Sequence, residues 1–150
     1  MIESNASNAS NARHFATRTI HFGSELDRQT GASSVPLYQA ATFHHFSLDD
    51  PPACDYSRSG NPTRHALEEY IAVLEGGAKG YAFASGMAAI TSAFMIFSAG
   101  DHVIVTEDVY GGTYRLLTTV LNRMNIEATF VDMTDPERVK AAKKPNTKGV

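Results

Sequence analysis

Along residues 63–74, TRHALEEYIAVL, the apolar side chains Leu67, Ile71 and Leu74 recur three and four apart, which places them on one face of an α-helix. Pro62 suits the first turn of that helix, where its missing N–H has no intrahelical acceptor to lose. Glu75-Gly76-Gly77 supplies the stop. KGYAFAS, residues 79–85, then reads as a short buried strand. GMAAITSAFMIFSAG, residues 86–100, is apolar on almost every side, which predicts a helix buried against a sheet. DHVIVTED (101–108) predicts a second strand. GGTYRLLTTVLNRMN (111–125) predicts an amphipathic helix with Leu116, Val120 and Leu121 as its apolar stripe. IEATFVDM (126–133) predicts a third strand, and DPERVKAAKK (135–144) a helix capped by Asp135 with Pro136 at its first position. This alternation of strand and helix implies an α/β fold with a mostly parallel sheet covered by helices.

The first sixty residues show no such period. SNASNASNA, residues 4–12, is a small, polar, low-complexity tripeptide repeat, expected to be disordered or tied down only by neighbours. Asn5 and Asn8 begin N-x-S matches that carry little meaning without a secretion signal. HFATRTIHFG (14–23) predicts a short helix ending at Gly23, and SSVPLYQAATFHHF (33–46) an extended segment around Pro36. Residues 1–60 are therefore expected to form an arm packed on another body, such as a neighbouring subunit, and residues 61–150 to be the first part of a larger α/β domain. TKGV, at 147–150, falls where the next strand of the series should begin, so the sequence reads as the amino-terminal part of a longer enzyme.

Composition removes several classes. The formal net charge is −3, and the lysines of KAAKKPNTK (140–148) lack interleaved aromatics, so no nucleic-acid partner is expected. No apolar run approaches the length needed to cross a bilayer, and the amino terminus has neither a signal core nor an Arg-rich transit pattern. Cys54 is the only cysteine, which excludes an internal disulfide and fits a reducing, cytoplasmic setting. His14, His21, His44 and His45 complete no metal-ligand set, so no metal is expected.

Ligands of open α/β sheets collect at the carboxyl ends of strands, and two such places carry chemistry. At Ser85-Gly86-Met87, the serine can cap the following helix while the next two N–H groups point outward at its positive end. That stretch fits a phosphate site, and it equally fits an ordinary capped helix. At DVYGGT (108–113), Tyr110 can lay its ring over a flat cofactor while the glycine pair turns closely beneath it; an anchoring tyrosine in a turn is the alternative. The third place is DYSRSGNPTR (55–64). In an extended segment Tyr56 and Arg58 would share a side, a phenol and a guanidinium suited to closing over a phosphate. A surface Tyr–Arg stack is the plainer account. Neither G-x-G-x-x-G nor G-K-[ST] is present, which disfavours a dinucleotide or nucleoside triphosphate.

YSRSGNPT (56–63), FASGMAA (83–89) and DVYGGTYR (108–115), with the weaker FVDMTD (130–135), together resemble the Cys/Met-metabolism family of pyridoxal-phosphate enzymes. Cystathionine β-lyase, cystathionine γ-lyase, cystathionine γ-synthase, methionine γ-lyase and the homoserine sulfhydrylases belong to it. The resemblance runs from about Val35 onward. It implies an aspartate-aminotransferase-like fold with helices on both faces of the sheet, and pyridoxal 5'-phosphate as cofactor. It further implies that Ser85, Gly86 and Met87 hold the cofactor phosphate and that Tyr110 stacks on the pyridine ring. Tyr56 and Arg58 would reach the phosphate from the neighbouring subunit of a homodimer, usually within a homotetramer. Tyr110 and Tyr56 would assist proton movement at an amino-acid substrate. The family's Schiff-base lysine, with its Ser-x-Thr-Lys setting, is implied to lie beyond Val150, so this stretch alone is expected to be inactive. Among the members, cystathionine β-lyase is the expected activity, ahead of γ-synthase or sulfhydrylase and then γ-lyase; a non-catalytic phosphate-binding or assembly fragment is the alternative if 150 residues is the true length.

Overall fold

A computed structural model describes residues 14–21, 27 and 30–150. The low-complexity repeat and Gly23 lie outside the described residues. The chain divides into two compact units, Met1–Ala82 and Phe83–Val150.

In the first unit, α1 (Phe15–His21) lies against α2 (Pro62–Glu75). Arg18 donates from its guanidinium to the Val73 carbonyl, and Tyr70 donates its hydroxyl to the Thr19 carbonyl. Helix α2 starts as its sequence dictates. Asn61 is extended and its Oδ1 accepts from the N–H groups of Thr63 and Arg64 at 2.9 and 3.4 Å, with Pro62 at the first helical position. Gly76, at φ 65° and ψ 21°, ends it in the left-handed conformation that glycine adopts without a Cβ penalty.

The apolar face of this helix is covered only in part, with Leu74 half-buried. Leu67 is 50% exposed and Ile71 45%, while Ala72 is the buried residue of the helix. Among the described residues of this unit α1 is the helix that lies on α2, bonded to it at Tyr70 and Val73. KGYAFAS also departs from its pattern. It forms no strand and Tyr81 is 68% exposed, because among the described residues no neighbouring strand supplies the ladder bonds.

The second unit is built on a parallel sheet of order β2-β1-β3, from β1 (His102–Thr106), β2 (Glu127–Val131) and β3 (Thr147–Gly149). β1 and β2 run in register from His102 opposite Glu127 to Thr106 opposite Val131. The central strand is buried at His102, Val103 and Ile104, as expected of a parallel strand flanked on both edges. α3 (Gly86–Phe94) precedes β1, and α5 (Pro136–Ala141), capped by Asp135 Oδ1 at 2.9 Å from the Glu137 N–H, links β2 to β3.

The crossover from β1 to β2 is not one regular helix. It opens as α4 (Gly111–Arg115), widens into a π-helical turn over Leu116–Val120, and tightens into a 3₁₀ turn over Leu121–Met124. The wide turn advances the chain by five residues rather than four, so Leu116 and Leu121 come onto the same buried side. Leu117 joins them and Val120 turns outward at 49% exposure. The core is thus Val103, Leu116, Leu117, Leu121 and Ile126, with Met87, Ile90 and Phe94 of α3 packed against it. α3 is half-buried rather than enclosed. One face meets this core while Ser92 and Ala93 stay exposed, since the three-stranded sheet covers it from one side only.

Candidate functional site

In the second unit, two helix starts converge. Ser85 Oγ accepts from the Ala88 N–H at 3.1 Å, and the Ser85 carbonyl receives the Ala89 N–H at 3.1 Å. Among the described residues no acceptor meets the N–H groups of Gly86 and Met87, which lie at the positive end of a nine-residue helix. Its own helix backbone and chain neighbours aside, nothing lies within 4 Å of where a Cβ on Gly86 would stand, so the space beside that residue is open.

Tyr110 stands at the cap of α4, with its ring 69% exposed, and its carbonyl accepts from the Thr113 and Tyr114 N–H groups at 2.8 and 3.1 Å. The two helix starts meet at Gly112. A Cβ there would come within 2.6 Å of Tyr110 Cε1 and 2.9 Å of Met87 Sδ. The glycine pair differs accordingly: a side chain at Gly112 would displace the Tyr110 ring or the Met87 thioether, whereas a Cβ on Gly111 would meet nothing within 4 Å. Free N–H donors, open space before them and an exposed aromatic face seated beside them fit a flat, anionic ligand.

In the first unit, Tyr56 and Arg58 do come together, but not along an extended segment. Tyr56 makes one antiparallel bridge to Thr42, after which the chain turns. The Tyr56 carbonyl accepts from the N–H groups of Ser59 and Gly60 at 3.0 and 2.8 Å. Across this turn Arg58 Nη2 donates to Tyr56 Oη at 2.7 Å, with Arg58 Cζ 5.2 Å from the ring centroid. The extended geometry expected of this pair is therefore replaced by a tight turn that reaches the same pairing.

Three side chains secure that turn. Asp55 accepts from the Tyr56 N–H at 2.7 Å and the Ser59 hydroxyl at 3.1 Å, and these bonds hold its carboxyl below the ordinary range. Asn61 Nδ2 donates to the Tyr38 carbonyl at 2.9 Å and to Ser57 Oγ at 3.0 Å. Arg64 donates to the carbonyls of Ser57, Arg58 and Ser59 at 3.1, 3.4 and 3.0 Å. Cys54 is buried beneath, its sulfur 3.9 Å from His65 Nδ1. Sequence reasoning passed over Arg64. Its signal was its place at the third helical position, since side chains there lean back over the cap.

Asp132, in the weaker FVDMTD stretch, is taken up locally. It accepts from the Thr134 hydroxyl at 2.6 Å and N–H at 3.0 Å, which lower its carboxyl pKa with a smaller contribution from Arg138. Among the described residues no three histidine, cysteine, aspartate or glutamate side chains converge to hold a metal ion.

The family model described as Cys/Met metabolism PLP-dependent enzyme matches residues 16–150. The chain belongs to this family. Its cofactor is pyridoxal phosphate, a flat ring bearing a phosphate, which the exposed Tyr110 face and the free N–H groups of Gly86 and Met87 fit. Among curated relatives, cystathionine beta-lyase MetC of Bacillus subtilis (strain 168) is 60% identical over 132 residues, 88% of this chain and 34% of the relative. Cystathionine gamma-lyase of the same organism is 53% identical over 134 residues, 89% of this chain and 35% of the relative. The chain thus spans about a third of the length of the curated relatives it matches, at 34% and 35%.

The fold agrees with that of solved family members. Cystathionine gamma-lyase from Lactobacillus plantarum complexed with L-serine superposes with a TM-score of 0.84 at 51% identity, over 91% of this chain and 35% of that one. metB from Corynebacterium glutamicum superposes with a TM-score of 0.87 at 44% identity, over 93% of this chain and 37% of that one.

Proposed function

We propose that the whole protein is a pyridoxal-phosphate-dependent C–S lyase of sulfur amino-acid metabolism, acting on cystathionine as a β-lyase. The observation that carries this reading is the 60% identity to a cystathionine beta-lyase, above the 53% to a cystathionine gamma-lyase, in a chain whose Met87–Gly112–Tyr110 contact suits the cofactor. The reaction adds one water and cleaves the bond between sulfur and the β-carbon, releasing homocysteine, pyruvate and ammonia.

When bound, pyridoxal phosphate supplies an electron sink for the carbon that loses its α-proton. The residues of this chain bind and orient it. The N–H groups of Gly86 and Met87 hold the phosphate at the positive end of α3, behind the Ser85 cap. The Tyr110 ring covers one face of the pyridine, and its phenol assists proton movement at the substrate. Arg58, a fixed planar donor, and Tyr56 close over the phosphate of a neighbouring subunit's site in a homodimer within a homotetramer. The exposed Tyr56–Arg58 turn, which presents both polar ends outward, supports that reading. No helix among the described residues is long and apolar enough to cross a membrane, and we place the enzyme in the cytoplasm.

The experiment is a product assay. Cystathionine supplied to the whole protein with pyridoxal phosphate yields pyruvate under this reading. Release of 2-oxobutyrate and cysteine instead would make it a γ-lyase, a second reading kept open by the 53% identity to such an enzyme. Formation of cystathionine from cysteine and an activated homoserine would make it a synthase.

A further inference from the structure

The turn that carries Tyr56 and Arg58 is short and both of these side chains are exposed, so its shape depends on what holds its backbone. The two N–H bonds to the Tyr56 carbonyl close the turn from inside. From outside, the next three carbonyls, those of Ser57, Arg58 and Ser59, all converge on the guanidinium of Arg64. Glu68, one helical turn further, keeps that guanidinium oriented, with its Oε1 3.6 Å from Arg64 Nε. Glu68 is itself fixed by accepting the Ala82 N–H at 3.0 Å. Three consecutive carbonyls aimed at one planar fork is an arrangement that a lysine, with one ammonium nitrogen, does not reproduce.

We propose that Arg64 is a positioning residue for cofactor binding: by gripping the carbonyls of Ser57, Arg58 and Ser59, it holds Tyr56 and Arg58 in the geometry that meets the cofactor phosphate. The proposal rests on the reading that Tyr56 and Arg58 form the phosphate clamp. Arg64 acts through them, its own donors being turned toward the backbone and Glu68.

The test uses the whole protein carrying Arg64→Gln, Arg64→Lys, Arg58→Ala, and Arg58→Ala combined with each Arg64 change. Two quantities are read: the dissociation constant of pyridoxal phosphate, and the amide hydrogen exchange of Ser59 and Gly60 in the apoprotein. Arg64→Gln is expected to weaken cofactor binding about tenfold, the scale of losing charge-assisted hydrogen bonds, with Arg64→Lys recovering only part. In the Arg58→Ala background the same Arg64 change should add little, because the side chain it positions has gone. Exchange at Ser59 and Gly60 should accelerate in both Arg64 variants. Unchanged exchange, or an affinity loss equally large with and without Arg58, overturns the proposal. If Arg58→Ala leaves affinity unchanged while exchange accelerates, the clamp reading itself has failed, and the cofactor role of Arg64 falls with it. Should Arg64→Gln not fold, Arg64→Lys carries the same two comparisons.

Discussion

Gly112 lies against the ring of Tyr110 so closely that a single added carbon would stand 2.6 Å from Cε1, with Met87 Sδ 2.9 Å away on another side. Gly112→Ala therefore moves either the ring, which belongs to the proposed cofactor seat, or the thioether, which packs against the core beside it. Where the ring is the group that moves, the seat is displaced and cofactor affinity should fall, by about tenfold for a lost contact of about 1.4 kcal/mol. Gly111→Ala, which meets nothing within 4 Å, should bind as the parent does. Equilibrium dialysis of pyridoxal phosphate against the two variants compares them directly. Equal affinities would remove the Tyr110 seat from the account.

Arg58 donates to Tyr56 Oη at 2.7 Å in the free chain, so both polar groups already point the same way. Arg58→Ala should raise the cofactor dissociation constant by about 10- to 100-fold, the range for a charged hydrogen-bond partner. Arg58→Lys should restore part of the charge and none of the fork. Tyr56→Phe should cost less than Arg58→Ala. The reverse order would make the phenol the principal contact.

The wide helical turn between Leu116 and Val120 makes a stability prediction. Leu117 is 1% exposed and Leu121 fully buried, so truncating either to alanine should lower unfolding free energy by about 2–5 kcal/mol. Val120→Ala should change it by less than about 0.5 kcal/mol. Urea unfolding decides the point, and a large Val120 effect would mean the regular helix, not the π turn, describes this segment.

His102 is buried between Thr147 Oγ1 at 2.8 Å and Thr129 Oγ1 at 2.7 Å, tying β1 to both neighbours. Burial lowers its pKa from the ordinary 6.5, and Lys144 lowers it further against a smaller opposing pull from Glu127. A depressed folded-state value means the unfolded chain takes up the proton first. The stabilisation is therefore complete above about pH 6.5 and fades as pH falls through the folded value. His102→Gln should flatten the loss of stability between pH 7 and pH 5. An unfolding free energy with the same slope in both proteins would show that other groups carry the acid sensitivity.

How much of this was legible beforehand differs from element to element. Caps and stops are local chemistry, so Asn61-Pro62, Gly76, Ser85 and Asp135-Pro136 announced the ends of α2, α3 and α5. Strands β1, β2 and β3 and their parallel direction, though not their order in the sheet, followed from alternation with helices, because only a crossover can join parallel neighbours. The three linked motifs also fixed the family and with it the cofactor.

Tertiary structure decided what periodicity cannot encode. Which face of α2 is covered depends on what packs there: α1 bonds to it at Tyr70 and Val73, and Ala72 rather than Leu67 or Ile71 is buried. Whether KGYAFAS becomes a strand depends on a partner ladder rather than on its own residues. The Tyr56–Arg58 turn, the grip of Arg64 on three carbonyls and the meeting of Met87 with Tyr110 at Gly112 join residues whose separation along the chain carries no period. Sequence thus specified the local conformations and the chemistry available. Packing chose which of those groups meet, because burial and backbone hydrogen bonding are satisfied only across the fold.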